Sequence, residues 1–431
     1  MFCSNENSKS QVEFNNQEID VFNLEGNEGY SIQISKSITE IKDIWDSMAP
    51  DTNLFLQSPY LKTLEDFPPE KMVFRYIVFY YNNKPIGVSY NQIFRLNIED
   101  SMRQEGIIGD ENQNFCIISA ISKATKKWFL KHAEFNLLIC GNMLLTGEYG
   151  FHFGDKISNE TAASLIQDSL ETLQAVLETE ETKINIHLIK DYKIENSEQL
   201  KSELQKDTYH PFLMQPSMHM DIRNTWNDFE DYLADMSSKY RVRAKRARKK
   251  GKGIIKRELT LKEIEANEIR IHELYKKIAD GAGFNAFLLH EKYFTELKRS
   301  LKDKYKLTAY FIDNKLVAFY TAIFNYNEMD AHFLGVDNSF NKTHQVYLNI
   351  LYDLVNRAIE GSSKSIDFAR TALEIKSSVG AVAQDMLCFL KHRGTLTSKI
   401  LPLVFDSLNR KEEWKPRSPF KKIVPTLKTT Q

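Results

Sequence analysis

The sequence predicts a mixed α/β protein built from two tandem copies of one domain. Three observations carry this: a β-hairpin that occurs twice, a length of 431 residues, and helical and strand periodicities that alternate along the chain. Residues 74–94 read FRYIVFYYNNKPIGVSYNQIF, and residues 306–324 read KLTAYFIDNKLVAFYTAIF. Each is a β-branched and aromatic run, a two-residue polar turn, a Lys and a second apolar run, the signature of a hairpin. Asn82-Asn83-Lys84 falls opposite Asp313-Asn314-Lys315. A repeat period of about 230 residues is too long for a solenoid and marks duplicated domains. The chain is also too long for one ordinary core. The expected division is a disordered tail over 1–27, domains over 28–215 and 216–400, and a C-terminal extension over 401–431.

In the first domain the pattern predicts a strand over 29–34 and a helix over 38–48. A second helix over 58–66 is stopped by Pro68-Pro69. After the hairpin, 98–113 reads as a polar loop and FNLLIC, ending at Cys140, as a strand. Ala162, Leu165, Ile166, Leu170, Leu173 and Val176 recur at helical spacing. A strand over 184–189 follows, and 212–221 crosses into the second domain.

The second domain opens with a long helical pattern: Trp226, Phe229, Leu233, Met236, Tyr240, Ala244 and Ala247, with Thr225 and Asp228 as a capping box and Ser237-Ser238 as a break point. Acids fill its first turns and bases its last, as the helix dipole favours. Gly251 and Gly253 end it. Next come a strand over 254–259 and helices over 264–278 and 291–301. A meander over 307–312, 317–325 and 330–336, a helix over 346–359, a strand over 365–368 and a helix over 371–377 complete the domain.

Composition excludes several functions. The formal net charge is −1, which argues against a whole-chain grip on DNA. Cys3, Cys116, Cys140 and Cys388 form no CxxC and read as reduced thiols of a cytoplasmic protein. No His/Cys/carboxylate spacing marks a metal site, and no apolar run is long enough to span a membrane. Peripheral membrane contact stays open.

Charge is nonetheless local. Residues 239–257 hold 11 bases and no acid, so the remaining 46 bases face 58 acids. Arg241, Arg243 and Lys245 are the candidate contacts to an anionic substrate; a solvated basic face is the plain alternative. The strand-to-helix turn Gly335, Val336, Lys342, Thr343 and His344 is the candidate cofactor-binding segment, with Thr343 as helix cap. It has no glycine at the helix start, so close approach of a phosphate is hindered. Asp367, Arg370, Glu374 and Lys376 follow a strand end, where α/β sites are usually built. Arg370 and Glu374, four apart, either pair with each other or hold and deprotonate substrate.

Strand, helix pair, meander, helix and strand is an order that resembles the GNAT acyltransferase superfamily. Two such domains resemble its Fem-like branch, related to the peptidoglycan aminoacyl ligases. Ile366-Asp367-Phe368-Ala369-Arg370-Thr371, then Lys376 and Gly380, is similar to the DFGRS…K…G signature of that branch, with Ala369 in place of Gly. Ser237-Lys239-Tyr240-Arg241 with Arg246, Lys249 and Gly251 resembles its basic helix motif. The resemblance implies two GNAT-like domains, the second catalytic. It implies an N-acyltransferase that moves an acyl group from a thioester or similar donor to an amine acceptor. No cofactor would be tightly bound; acyl-CoA, an acyl carrier protein or a charged tRNA would be the anionic donor. The alternatives are tRNA-dependent aminoacyl transfer to a cell-envelope precursor, and a degenerate GNAT pair that only binds an anionic partner. The long helical hairpin of the ligases has no counterpart in this sequence.

Overall fold

The computed structural model describes residues 21–24, 27–97, 134–206, 208–281, 286–392 and 414–421. The expectations for the tail before residue 21, the loop over 98–113, Cys3 and Cys116 and the C-terminal extension apart from 414–421 fall outside these residues. The chain forms two compact units: residues 1–215, 279–302 and 385–410 in the first, and 216–278, 303–384 and 411–431 in the second. Neither unit is one continuous stretch of chain.

The first unit begins with β1 (Val21–Asn23), inside the segment expected to be disordered, and β2 (Tyr30–Ser35). Next come α1 (Lys42–Met48), α2 (Ser58–Asp66), β3 (Met72–Tyr81), β4 (Lys84–Asn97), β5 (Glu134–Cys140) and β6 (Phe151–Phe153). The unit continues through α3 (Asn159–Thr179), β7 (Ile186–Lys193) and α4 (Glu198–Lys206). Of the expected stripe on α3, Ala162, Leu165, Ile166, Leu170 and Leu173 are buried and Val176 is half-buried.

The second unit takes β8 (His210–Asp221) from Pro216 onward, then α5 (Phe229–Asp235), α6 (Ser238–Lys250), β9 (Ile255–Glu258), α7 (Leu261–Ala266) and α8 (Glu268–Asp280). Helix α9 (Tyr293–Leu301) belongs to the first unit. The second resumes with β10 (Tyr305–Ile312), β11 (Lys315–Asn325), β12 (Glu328–Val336), α10 (Asn338–His344), α11 (Val346–Glu360), β13 (Ser365–Asp367) and α12 (Leu373–Ser377). Strand β14 (Val382–His392) completes the sheet of the first unit by pairing with β7.

The two units share one strand plan. In the first, β2-β3-β4-β5 is antiparallel, β5 pairs with β7 in parallel, and β14 runs antiparallel to β7. In the second, β9-β10-β11-β12 is antiparallel, β12 pairs with β13 in parallel, and β8 runs antiparallel to β13. The repeat extends to fine detail. Asn82 and Asn83 have φ of 47° and 61°, and Asp313 and Asn314 have 50° and 60°. Positive φ at both central residues is the type I′ hairpin turn, which Asn and Asp tolerate best. Both hairpins also carry a bulge at the same offset, where Ile86 and Val317 are the extra residues.

The expected long helix at the start of the second unit is two helices. Asp228 caps α5 by accepting from the Asp231 amide, so the cap is Asp228 rather than Thr225. The chain is extended at Met236 and Ser237 before α6 begins. The expected helix over 264–278 is likewise split at Asn267 into α7, with a capping box of Thr260 and Glu263, and α8.

Gly335 shows how tightly β12 packs on α8. A Cβ there would lie 2.6 Å from the Leu274 carbonyl carbon and 2.4 Å from the Phe319 ring. Gly335→Ala should therefore cost about 1–3 kcal/mol as an overpacked contact. Gly253→Ala, where nothing lies within 4 Å, should be close to neutral. Urea denaturation of the two variants checks the contrast.

Candidate functional site

The basic segment sorts into structural and uncommitted charges. Arg248 pairs with Asp353 on α11 and stacks 4.6 Å over the Phe229 ring. Lys256 reaches the other Asp353 oxygen at 2.7 Å, and the Tyr310 hydroxyl donates to it as well. Arg257 pairs with Glu263. These three bases tie α6 and β9 to their neighbours. Lys239, Arg243, Lys245 and Arg246 carry no ion pair among the described residues.

Three of these four line an open groove of about 700 Å³ with Tyr240, Val242 and Arg417. Of the predicted substrate contacts, Arg243 is in the groove wall. Arg241 instead donates to the Ala234 carbonyl at 3.4 Å, satisfying the open C-terminal end of α5. Lys245 is exposed and is not part of the wall. Arg246 and Arg417 complete the groove. Arg417 lies over 160 residues from α6 in sequence. It arrives because residues 414–421 form a strap: Pro419 accepts from the Ser237 amide, and Phe420 packs on Trp226 and Tyr232. The Phe420 ring sits 2.6 Å from where a Cβ on Gly380 would be, and Gly380 has φ of +114°, so that signature glycine is required twice over.

Arg417 also joins the groove to the second cluster. Its guanidinium pairs with Glu374, and its amide donates to Ser377 at 3.0 Å. Glu374 thus has Arg417 as its ion-pair partner, where the sequence offered Arg370. That pairing, with help from Arg243, holds the Glu374 carboxyl below its ordinary range, which makes it a weak base.

Asp367 closes β13. It accepts from the Ser217 hydroxyl at 2.6 Å and from the Ala369 amide at 2.5 Å. Burial raises its pKa above the usual carboxylate range, against the pull of those two donors. Ala369, Thr371 and Ala372 then have φ of 55°, 66° and 49°. Three non-glycine residues in the left-handed region are costly and hold only where the surroundings over-determine them. Lys376 supplies that determination. It is 6% exposed, and its ammonium donates to the carbonyls of Arg370 at 2.5 Å and Ala369 at 3.3 Å. Arg370 sits half-buried in this turn. Burial lowers the Lys376 pKa to about 7, opposed by the charge of Asp367.

The proposed cofactor segment has a different role. Asp337, not Thr343, caps the helix after β12 by accepting from the Ser339 amide. That helix is α10, which the sequence pattern missed, and it separates β12 from α11. Thr343 bonds the Phe340 carbonyl and the His344 ring in its last turn. Gln345, with φ of 49°, starts α11, and Asn341 accepts from the Tyr347 amide. Lys342 is exposed and His344 ends α10. Gly335 and Val336 are packing residues. Asp337 is paired with Arg270 at 3.3 Å and with Lys277 at 3.0 Å.

Further polar residues surround Asp367. Across the ladder, Asp330 is its parallel neighbour and His219 its antiparallel one. His219 Nδ1 lies 3.2 Å from Glu328. The signal for these residues was the alternation SMHMD, EMDAH and SIDF, readable as period-2 strands with one polar face. Among the described residues no group of His, Cys, Asp and Glu is placed to hold a metal ion, and no helix is long and apolar enough to cross a membrane.

No protein-family model matches the sequence, and no curated protein matches it. Solved structures do match. FemX is 11% identical over 85% of this chain and 99% of its own, with a TM-score of 0.51. A tandem GNAT protein from the clavulanic acid biosynthesis pathway matches at 8% identity, over 84% of this chain and 99% of its own, with a TM-score of 0.45. L-PGS from Bacillus licheniformis matches at 10% identity, over 81% and 96%, with a TM-score of 0.43. The chain has a Fem-like tandem GNAT fold.

The buried Lys376 makes stability depend on pH. Its folded pKa is below the unfolded value, so the unfolded chain binds the extra proton between about pH 7 and 10. Stability should rise with pH through that window by this contribution. In Lys376→Met the rise should flatten, as thermal melts of both proteins from pH 7 to 10 will show.

Proposed function

We propose that the protein is an N-acyltransferase whose second unit takes an anionic donor in the α6 groove and transfers its acyl group to an amine. The observation that carries this is the groove itself. Lys239, Arg243 and Arg246 face it with no carboxylate partner among the described residues, and Arg417 adds a fourth cation. Unpaired guanidinium groups along one wall fit phosphate oxygens. The Fem-like fold supports the reaction class. The turn after β12, with no glycine at its helix start, does not favour close approach of an acyl-CoA pyrophosphate. The donor that fits is therefore a macromolecular polyanion, an acyl carrier protein or a charged tRNA.

In the reaction, the amine nitrogen attacks the acyl carbonyl carbon. A C–N bond forms, the bond from that carbon to the donor sulfur or oxygen breaks, the nitrogen loses a proton and the leaving group gains one. Asp367 is the proton acceptor of choice, because its carboxylate is half-buried and its pKa is raised. Glu374 is not, because Arg417 holds it ionised. Lys376 acts as a positioning residue that fixes the turn carrying Arg370.

Arg243→Glu combined with Arg246→Glu should raise the donor KM by roughly tenfold or more, since each charged hydrogen bond is worth about 1.5–3 kcal/mol. Melting temperature should stay near wild type, because both side chains are exposed. Steady-state transfer assays at several salt concentrations check this. A charged tRNA gives the steeper loss of affinity with salt, because it presents more phosphates. Tight, salt-insensitive use of free acetyl-CoA would overturn the donor assignment. Saturable donor binding with no turnover on any amine would leave a binding protein.

A further inference from the structure

No acid lines the groove of α6, whose charged wall is Lys239, Arg243, Arg246 and Arg417. One carboxylate nevertheless reaches that set of cations. Glu374 Oε1 accepts from the Nε of Arg417 at 3.1 Å and from one of its Nη groups. Arg417 first, then the charge of Arg243, hold the Glu374 carboxyl below its ordinary range, so it stays ionised. The guanidinium that a ligand in the groove would meet is thus already engaged by an anion of the protein itself.

The main chain on both sides of this pair is fixed without it. The Arg417 amide donates to the Ser377 hydroxyl at 3.0 Å, and that hydroxyl donates to the Glu374 carbonyl at 2.9 Å. Further along the strap, Pro419 accepts from the Ser237 amide at 2.8 Å, and the Lys421 amide donates to the Asp235 carbonyl at 3.0 Å. The two side chains can therefore part while the strap and α12 stay docked. They are also wet: the Arg417 side chain is 31% exposed and that of Glu374 50%. Parting leaves neither charge in an apolar site, and an ion pair so placed contributes little. An anion with several charges meets Lys239, Arg243 and Arg246 together, and charge-assisted hydrogen bonds to those three favour taking Arg417 as well.

We propose that Glu374 is a resident counter-ion that regulates the groove: it holds Arg417 while the groove is empty and yields it to a phosphate group when a polyanion enters. This rests on the anion-binding reading of the groove given above. Two consequences follow from the competition. Glu374 weakens every ligand that needs Arg417. Occupancy of the groove is also felt on α12, which carries Lys376, the residue that clamps the turn after β13.

Calorimetric titration of the full-length protein with myo-inositol hexasulfate, a polyanion whose charge is constant across the working pH, tests this at fixed ionic strength. Wild type should bind saturably. Glu374→Gln, an exposed change that keeps the side-chain shape, should bind roughly threefold or more tightly, because Arg417 is no longer engaged. Arg417→Gln should bind more weakly than wild type. Adding Glu374→Gln to it should then gain less than the same change gains in wild type, because there is no guanidinium left to compete for. Bulk repulsion between Glu374 and the ligand predicts the opposite, a gain at least as large without Arg417, and that result would overturn the switch. Equal affinities of wild type and Glu374→Gln, with binding still weakened by Arg243→Glu and Arg246→Glu, would overturn the switch and leave the groove as an anion site. No saturable binding by wild type would overturn both.

Discussion

The turn from Asp367 to Lys376 is the constraint on which the second unit depends. Asp367 pulls the Ala369 amide inward, and Lys376 pulls the Ala369 and Arg370 carbonyls from the other side. Between them three residues are held in left-handed backbone. The charge-assisted hydrogen bonds of these two groups hold them there, against the cost of burying both. Loss of either clamp would let the turn relax, and everything anchored to it would shift. On one side lies the polar row of β8, β13 and β12. On the other, Glu374 reaches Arg417 and so the wall of the basic groove. One turn thus connects an acidic face to a basic one.

The duplicated plan carries different residues at equivalent strand ends of the two units. The first unit repeats the hairpin, its bulge and the parallel strand pair. At the last pair of that parallel ladder, however, it has Cys140 beside Ile189, where the second unit has Asp330 beside Asp367. Beyond it, Lys190 is buried with its ammonium on the Leu145 carbonyl and on Asp191. Burial raises the Cys140 thiol pKa to about 12, so it is no nucleophile. The same backbone ends its parallel ladder on a thiol and an isoleucine in one unit and on two carboxylates in the other.

Charge placement follows a similar economy. The chain is nearly neutral, yet 11 bases gather within 19 residues. Arg248 and Lys256 both pair with Asp353, a residue about 100 positions away. A long-range carboxylate of this kind fastens the helix without cancelling its outer face. Arg243 and Arg246 are left for solvent or ligand, at little cost to stability because exposed charges stay hydrated.

The sequence by itself determined what local chemistry controls. Type I′ turns need residues that tolerate positive φ, so Asn82-Asn83 and Asp313-Asn314 announced both hairpins and the duplication. Helical spacing located α3 and α11, and alternation located the meander. It also singled out Asp367, Arg370, Glu374 and Lys376, because a strand end followed by a charged turn is a local feature. Only the tertiary structure decided which of these act together. Glu374 meets Arg417 rather than Arg370, since the partner arrives on a strap from the far end of the chain. Asp337 caps α10 and is held by Arg270 and Lys277 on another helix. Gly335 serves packing against α8 rather than close approach of a ligand. Asp330 and His219 join Asp367 only because three strands distant in sequence fall into register. Pairing across a sheet and burial of a charge are properties of the folded neighbourhood, and no window of the sequence contains them.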